Sequence, residues 1–257
     1  MFARLSLPAF LVVSLSVTVP ALAQDAPGVV TPTSMDQVQP AFSHLFSDIA
    51  HDLTRLPTVG NAITIGAGGA LALAVRPADR NLTRRASLSE DMGEAFGPGS
   101  GLGSGYAQFG GAIATWMIGK ATDSPRVQAL GYDLVRAQVV NEILTQGLKF
   151  GVGRTRPDGT SHSFPSGHTS SSFATATVLQ RYFGWKVGVP AYALASYVGA
   201  SRMQANRHYA SDVIFGAALG IVSGRTVTLG HGKTKFALSP MAVAGGAGVS
   251  FVRIGAP

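Results

Sequence analysis

Residues 149–168 read K-F-G-V-G-R-T-R-P-D-G-T-S-H-S-F-P-S-G-H, and residues 201–212 read S-R-M-Q-A-N-R-H-Y-A-S-D. Three clusters lie in these two stretches. In the first, six residues separate Lys149 from Arg156-Pro157. The second is Pro165-Ser166-Gly167-His168, and the third joins Ser201-Arg202, His208 and Asp212. Lys149 closes a long helical pattern that should stop at Gly151 or Gly153, so a helix end and the following loop bring two cations together. Arginine offers a planar fork for two phosphate oxygens, whereas lysine acts as a point charge. Pro157 stiffens the turn behind Arg156.

The second cluster precedes a helical pattern, and free backbone N–H groups at a helix start form an anion site. Gly167 lets the backbone approach a phosphate closely, and the Ser166 hydroxyl adds a donor. His168 then stands at the edge of the site, where a proton donor for a leaving oxygen is useful. In the third cluster His208 and Asp212 are four residues apart at the start of a predicted helix and share a face. A carboxylate there holds one ring nitrogen and leaves the other free to attack phosphorus. Arg202 adds a third cation. Each motif alone is weak: a helix-ending lysine, a capping serine, a surface His–Asp pair. Their joint occurrence, in order, carries the reading.

Working outward, apolar residues recur at helical spacing over 42–55, 58–76, 107–120, 124–149, 168–183, 187–202 and 209–224. The glycine-rich stretch 97–105 reads as a loop. Arg154 and His162 read as solvated loop residues near the rim. Residues 1–23 combine Arg4, an apolar run and Ala21-Leu22-Ala23, which reads as a signal peptide cleaved after Ala23. A proline-containing leader follows over 24–40, then a helical domain over 41–230. The Val-, Ala- and Gly-rich tail, 231–257, suits a short β-hairpin turning at Gly245-Gly246. The 257 residues contain no cysteine, which excludes disulfides, thiolate metal sites and cysteine nucleophiles. The formal charge of +7 suits an anionic partner.

These residues resemble the type 2 phosphatidic acid phosphatase superfamily, which includes bacterial class A acid phosphatases and vanadium haloperoxidases. The resemblance spans about residues 138–224 and includes T-R-P-D, S-F-P-S-G-H-T and H-Y-A-S-D-V-I-F-G-A-A-L-G. It implies an all-α helical bundle and hydrolysis without metal or other cofactor, with vanadate inhibiting as a phosphate mimic. It also implies roles: Lys149, Arg156, Ser166, Gly167 and Arg202 bind phosphate, His168 is the general acid, His208 forms a phosphohistidine and Asp212 orients it.

The membrane question turns on charge. The segment bearing Lys149 also carries Arg126, Asp133, Arg136 and Glu142, and the apolar runs after His168 and Asp212 are short. A spanning helix needs about 20 residues nearly free of charge. The expectation is therefore a soluble or membrane-peripheral periplasmic phosphatase of phosphate monoesters. The alternatives are a lipid-phosphate or isoprenyl-diphosphate phosphatase at the membrane, a vanadate-dependent haloperoxidase, and a non-catalytic envelope protein. The partner is a phosphorylated small molecule or lipid phosphate, and nucleic acid is not expected.

Overall fold

The computed structural model describes residues 42–88, 90–229, 235–243 and 246–254, with side chains placed for 42–88 and 93–229. The signal-peptide and leader readings fall outside those residues. The described chain is an α-helical bundle followed by a two-stranded hairpin. Its helices are α1 (Leu45–Thr54), α2 (Val59–Val75), α3 (Asp79–Ser87), α4 (Glu90–Leu102), α5 (Gly105–Ala121), α6 (Pro125–Val152), α7 (Gly167–Phe183), α8 (Trp185–Gln204) and α9 (Ala210–Val227). Strand β1 (Lys235–Val243) pairs antiparallel with β2 (Gly246–Ile254), from Lys235↔Ile254 to Val243↔Gly246.

Local chemistry sets several boundaries. Thr58 and Ser104 accept from the backbone N–H groups of Asn61 and Ala107, capping α2 and α5. Pro125 opens α6 at a position that needs no donor, and Gly153, at φ 59°, closes it in the left-handed conformation. Lys149 thus sits in the last turn of α6 rather than at its end.

The stretch read as a glycine loop is instead mostly helical. Residues 90–102 form α4 despite Gly97, Pro98, Gly99 and Gly101. Tertiary packing overrides the poor propensity. A Cβ on Gly99 would lie 2.6 Å from that of Ser201 on α8, so only glycine permits this approach. Phe96 stacks on Tyr197 with ring centroids 5.2 Å apart, and the Tyr197 hydroxyl donates to the Ala95 carbonyl. Helix α3 carries no apolar stripe that would have announced it. It is held through Asp79, whose carboxylate accepts from the Ser211 backbone N–H at 2.9 Å.

Helices α6, α7 and α9 pack mutually at the centre, with α5 against α6, α8 against α7, and α2 against α9. The α7–α9 contact depends on Gly216, Gly220 and Gly224, spaced one turn apart along α9. A Cβ at Gly220 would meet the Ser170 carbonyl oxygen at 2.1 Å, and one at Gly224 the Ala174 carbonyl at 2.7 Å.

The interior is unusually polar. Gln138 donates to Thr175 and to the Ser171 carbonyl, Asn141 donates to Ser170, and Thr145 pairs with Ser170, all across α6–α7. Arg136 binds both oxygens of Asp52 and also Asp133, joining α1 to α6, while Tyr182 of α7 donates to Asp133. Of the charges on α6 that argued against a membrane setting, Asp133 and Arg136 are therefore turned inward and paired. Conversely, Ile63 and Leu73 on α2, Ile113 and Met117 on α5, and Val189 and Leu194 on α8 are exposed. Val59–Ser87 and Ala210–Val227 are both apolar and long enough to cross a bilayer. The second is largely buried in the bundle and the first almost wholly exposed.

Gly220→Ala pushes α9 off the α7 backbone and costs about 1–3 kcal/mol, as overpacking does. Its thermal midpoint should fall below that of wild type, whereas Gly66→Ala, where a Cβ meets nothing within 4 Å, should not lower it comparably. Equal midpoints for Gly220→Ala and wild type would remove the close-packing argument.

Candidate active site

The three clusters converge on one cavity of about 320 Å³ at the ends of the central helices. The last turn of α6 supplies Lys149, and the connection to α7 supplies Arg156. The first turn of α7 supplies Gly167 and His168. The last turn of α8 supplies Arg202, and the connection to α9 supplies Arg207 and His208. Among the described residues, four cations and two imidazoles line the space, and Glu142 is the one carboxylate side chain.

Arg207 pairs with Asp158 at 2.9 Å, whereas Lys149, Arg156 and Arg202 have no carboxylate partner among the described residues. The Lys149 ammonium donates to the His162 carbonyl at 2.8 Å, and Arg202 donates to the Ser100 hydroxyl at 2.5 Å. The Nε groups of Arg156 and Arg202 are buried without a hydrogen-bond partner among the described residues. Burial, and then the nearby Arg207, push the Arg156 guanidinium below its ordinary pKa. Like charges gathered around orphaned donors favour an anion, and the N-terminus of α7 adds its own field. A tetrahedral oxyanion such as phosphate fits this donor set.

His208 is oriented differently from the sequence expectation. Its Nδ1 lies 2.7 Å from the Ser163 backbone carbonyl and 3.7 Å from the nearer Asp212 oxygen. A carbonyl only accepts, so Nδ1 carries the proton and Nε2 keeps a lone pair. Asp212 acts one step back. Its fully buried carboxylate accepts from the Ser163 hydroxyl, from the Tyr209 backbone N–H at 2.9 Å, and from Arg154 at 2.7 Å. Asp212 thus positions the segment whose carbonyl holds His208, and it adds negative charge nearby. Burial is the largest influence on His208 and lowers its pKa. The nearby Asp212 carboxylate opposes the shift, while Lys149 and Arg156 reinforce it.

Six of the eight expected residues line the cavity: Lys149, Arg156, Gly167, His168, Arg202 and His208. Asp212 and Ser166 lie behind its wall. The Ser166 hydroxyl pairs with Thr169 at 2.9 Å, and its backbone N–H donates to the Asp212 carbonyl, tying α7 to α9. Arg154, read as a solvated residue, is a structural keystone. Its guanidinium bridges Asp79, Asp212 and Ser211, and it stacks over the Tyr209 ring at 4.2 Å. His162 contributes its carbonyl to Lys149 rather than its ring to the cavity. Gly103, Phe109, Glu142, Gln146 and Arg207 also line the space and went unread. Gln146 and Glu142 lie one and two turns before Lys149, so helical periodicity from Lys149 was the signal that could have found them. A larger apolar cavity of about 500 Å³, between α2 and α9, meets Arg154 and Ser211 but none of the eight residues.

The family model of the PAP2 superfamily matches residues 130–236 of the chain. Among characterised proteins, a lipid A 1-phosphatase of Porphyromonas gingivalis is 49% identical over 80 residues. That match covers 30% of this chain and 18% of the relative. A probable diacylglycerol pyrophosphate phosphatase of Schizosaccharomyces pombe is 42% identical over 72 residues, covering 23% of this chain and 26% of the relative. The chain thus matches only about a fifth to a quarter of the length of these two proteins. Among solved structures, LpxE of Aquifex aeolicus superposes with a TM-score of 0.50 and 26% identity, covering 59% of this chain and 94% of that one. The transmembrane PAP2-type phosphatidylglycerolphosphate phosphatase of Bacillus subtilis shares the fold, with a TM-score of 0.52 and 20% identity, covering 72% and 93%.

Two predictions follow from the geometry around His208. In ¹⁵N-histidine NMR, His208 should appear as the Nδ1–H tautomer at pH 7 and take up its second proton only below the usual pH of about 6.5. An Nε2–H tautomer, or a midpoint above 6.5, would contradict the Ser163 contact. Arg154→Met strands the buried Asp79 and Asp212 carboxylates and should cost about 3 kcal/mol. A thermal melt indistinguishable from wild type would show that the bridge contributes nothing.

Proposed function

We propose that this chain is a phosphatase of lipid phosphates, working at a membrane of the cell envelope through a phosphohistidine on His208. The observation that carries the reading is an unprotonated His208 Nε2 in the same cavity as Lys149, Arg156 and Arg202, which have no carboxylate partner among the described residues. Lys149, Arg156 and Arg202 hold the non-bridging oxygens of the phosphate, assisted by the backbone at Gly167. Burial and then Arg202 hold His168 down to about 4 in the free site, so it takes up its proton as the phosphate anion binds beside it. His208 Nε2 attacks phosphorus as the ester P–O bond breaks, and His168 gives that proton to the departing oxygen. His168 then takes a proton from water, whose oxygen attacks phosphorus. The N–P bond breaks, releasing inorganic phosphate and returning His208 to its starting form. The cations and helix N-terminus stabilise the charge on the transferring group, so the mechanism needs no metal.

The lipid substrate and membrane setting rest on the distribution of polarity. A polar interior wrapped by helices with exposed Leu, Ile, Val and Met suits lipid surroundings, where exposed apolar side chains carry no penalty. Two relatives are named as a lipid A 1-phosphatase and a probable diacylglycerol pyrophosphate phosphatase, which supports the same reading. This replaces the soluble phosphomonoesterase as the leading expectation. The export signal read at the N-terminus suits an envelope location.

Purification with detergent, followed by phosphate-release assays on phosphatidic acid, an isoprenyl diphosphate and p-nitrophenyl phosphate, tests the proposal. The lipid substrates should be preferred, EDTA should have no effect and vanadate should inhibit. His208→Ala should lower turnover by at least about a thousandfold, as loss of a nucleophile does. Full activity in His208→Ala would end the mechanism, inactivation by EDTA would end its metal independence, and extraction without detergent would return the protein to the aqueous phase.

A further inference from the structure

A second polar cavity, of about 430 Å³, lies on the other side of the loops that build the catalytic one. Arg80, Thr83, Arg84, Ser87, Asn206 and Tyr209 line it, with Pro157. Arg156, Arg207 and His208 face the catalytic cavity, and their chain neighbours Pro157, Asn206 and Tyr209 face this one. The two spaces therefore share a thin wall of two loop segments. Of the lining residues only Pro157 and Tyr209 fall in the stretches that carry the family resemblance, and the two arginines and Thr83 lie outside them.

Three observations point to an anion here. Arg80 and Arg84 lie one turn apart on α3, and both line the cavity without a carboxylate partner among the described residues. Like charges at this spacing repel, and a shared anion converts the repulsion into attraction. Thr83 lies between them, is 1% exposed, and its hydroxyl has no hydrogen-bond partner among the described residues. A buried hydroxyl left unpaired is costly, and a ligand oxygen would satisfy it. Asn206 and Ser87 add neutral polar groups, and no carboxylate side chain among the described residues lines the space.

We propose that this cavity is a second phosphate-binding subsite, with Arg80 and Arg84 clasping the anion and Thr83 donating to it from below. Its ligand is a phosphate group borne by a lipid. That phosphate is either a second one on the substrate held at His208 or the headgroup of a neighbouring anionic lipid. The choice between these sources rests on the phosphatase reading; the binding itself does not.

Calorimetric titration of the full chain in neutral-detergent micelles with inorganic phosphate tests the binding. Wild type should take up two phosphates per chain and the double variant R80Q/R84Q one. Thr83→Val should weaken the second site about tenfold, the scale of one charge-assisted hydrogen bond, without lowering the thermal midpoint. One phosphate on wild type, or two on the double variant, overturns the subsite.

Kinetics then identify the source. With short-chain lipids carrying one or two phosphates, a rise in KM of about tenfold in R80Q/R84Q confined to the two-phosphate lipid assigns the subsite to substrate. Stimulation by phosphatidylglycerol that wild type shows and the double variant lacks assigns it to a separate headgroup. A double variant that matches wild type in both arms overturns the lipid assignment. If wild type hydrolyses neither lipid, the phosphatase reading fails, while the phosphate count still decides the subsite.

Discussion

The buried Asp212 carboxylate is the interaction on which the site depends. It lies in the first turn of α9 and is wholly removed from solvent. It gathers Ser163 and Arg154 from the α6–α7 connection and the backbone N–H of Tyr209 from the α8–α9 connection. Arg154 extends the same network to Asp79 at the start of α3. A buried carboxylate is tolerable only when hydrogen-bonded and paired, so the folded chain must bring these segments together. Once it does, the Ser163 carbonyl stands where His208 must present Nε2 to the cavity. Stability and chemistry rest on one set of bonds.

The second constraint is how closely the helices can approach. Glycines along α9 let it lie against the backbone of α7, and Gly99 on α4 does the same against α8. This places the start of α7 beside Asp212 and the Ser100 hydroxyl beside Arg202. Burial of apolar side chains contributes less than usual, because the centre is filled by Gln138, Asn141, Thr145 and a run of serines. Small residues and internal hydrogen bonds are what hold helices together where the surroundings are apolar. The exposed Leu, Ile and Val of α2, α5 and α8 are the outer side of the same arrangement.

Most of the site was legible in the sequence because its chemistry is carried by residues at short, fixed spacings. Lys149, Arg156, Gly167, His168, Arg202 and His208 line the cavity, as the three clusters suggested. Asp212 was identified, but its manner of action was not. Spacing of four on a helix implied a direct bond to His208, whereas His208 precedes α9 and bonds a carbonyl 45 residues earlier in the chain. Arg154 was missed for a similar reason: its partners, Asp79 and Asp212, are distant in sequence, and nothing local marks a loop arginine as buried. The helix α4 escaped because its glycines and proline argue for a loop, and only the surface of α8 reveals why they are needed. Pairing inside the bundle was equally out of reach of the sequence. Asp133 and Arg136 count against a bilayer until their pairing inside the bundle is seen.

The central claim is that His208 becomes covalently phosphorylated through Nε2. Rapid acid-free quenching of the enzyme during turnover of a ³²P-labelled lipid phosphate, followed by peptide mapping, tests it most directly. The account predicts label on His208, stable in alkali and labile in acid as a phosphoramidate, and absent from His208→Ala. Turnover by wild type with label on another residue, or with full activity and no phosphoenzyme under conditions that slow its hydrolysis, would contradict it.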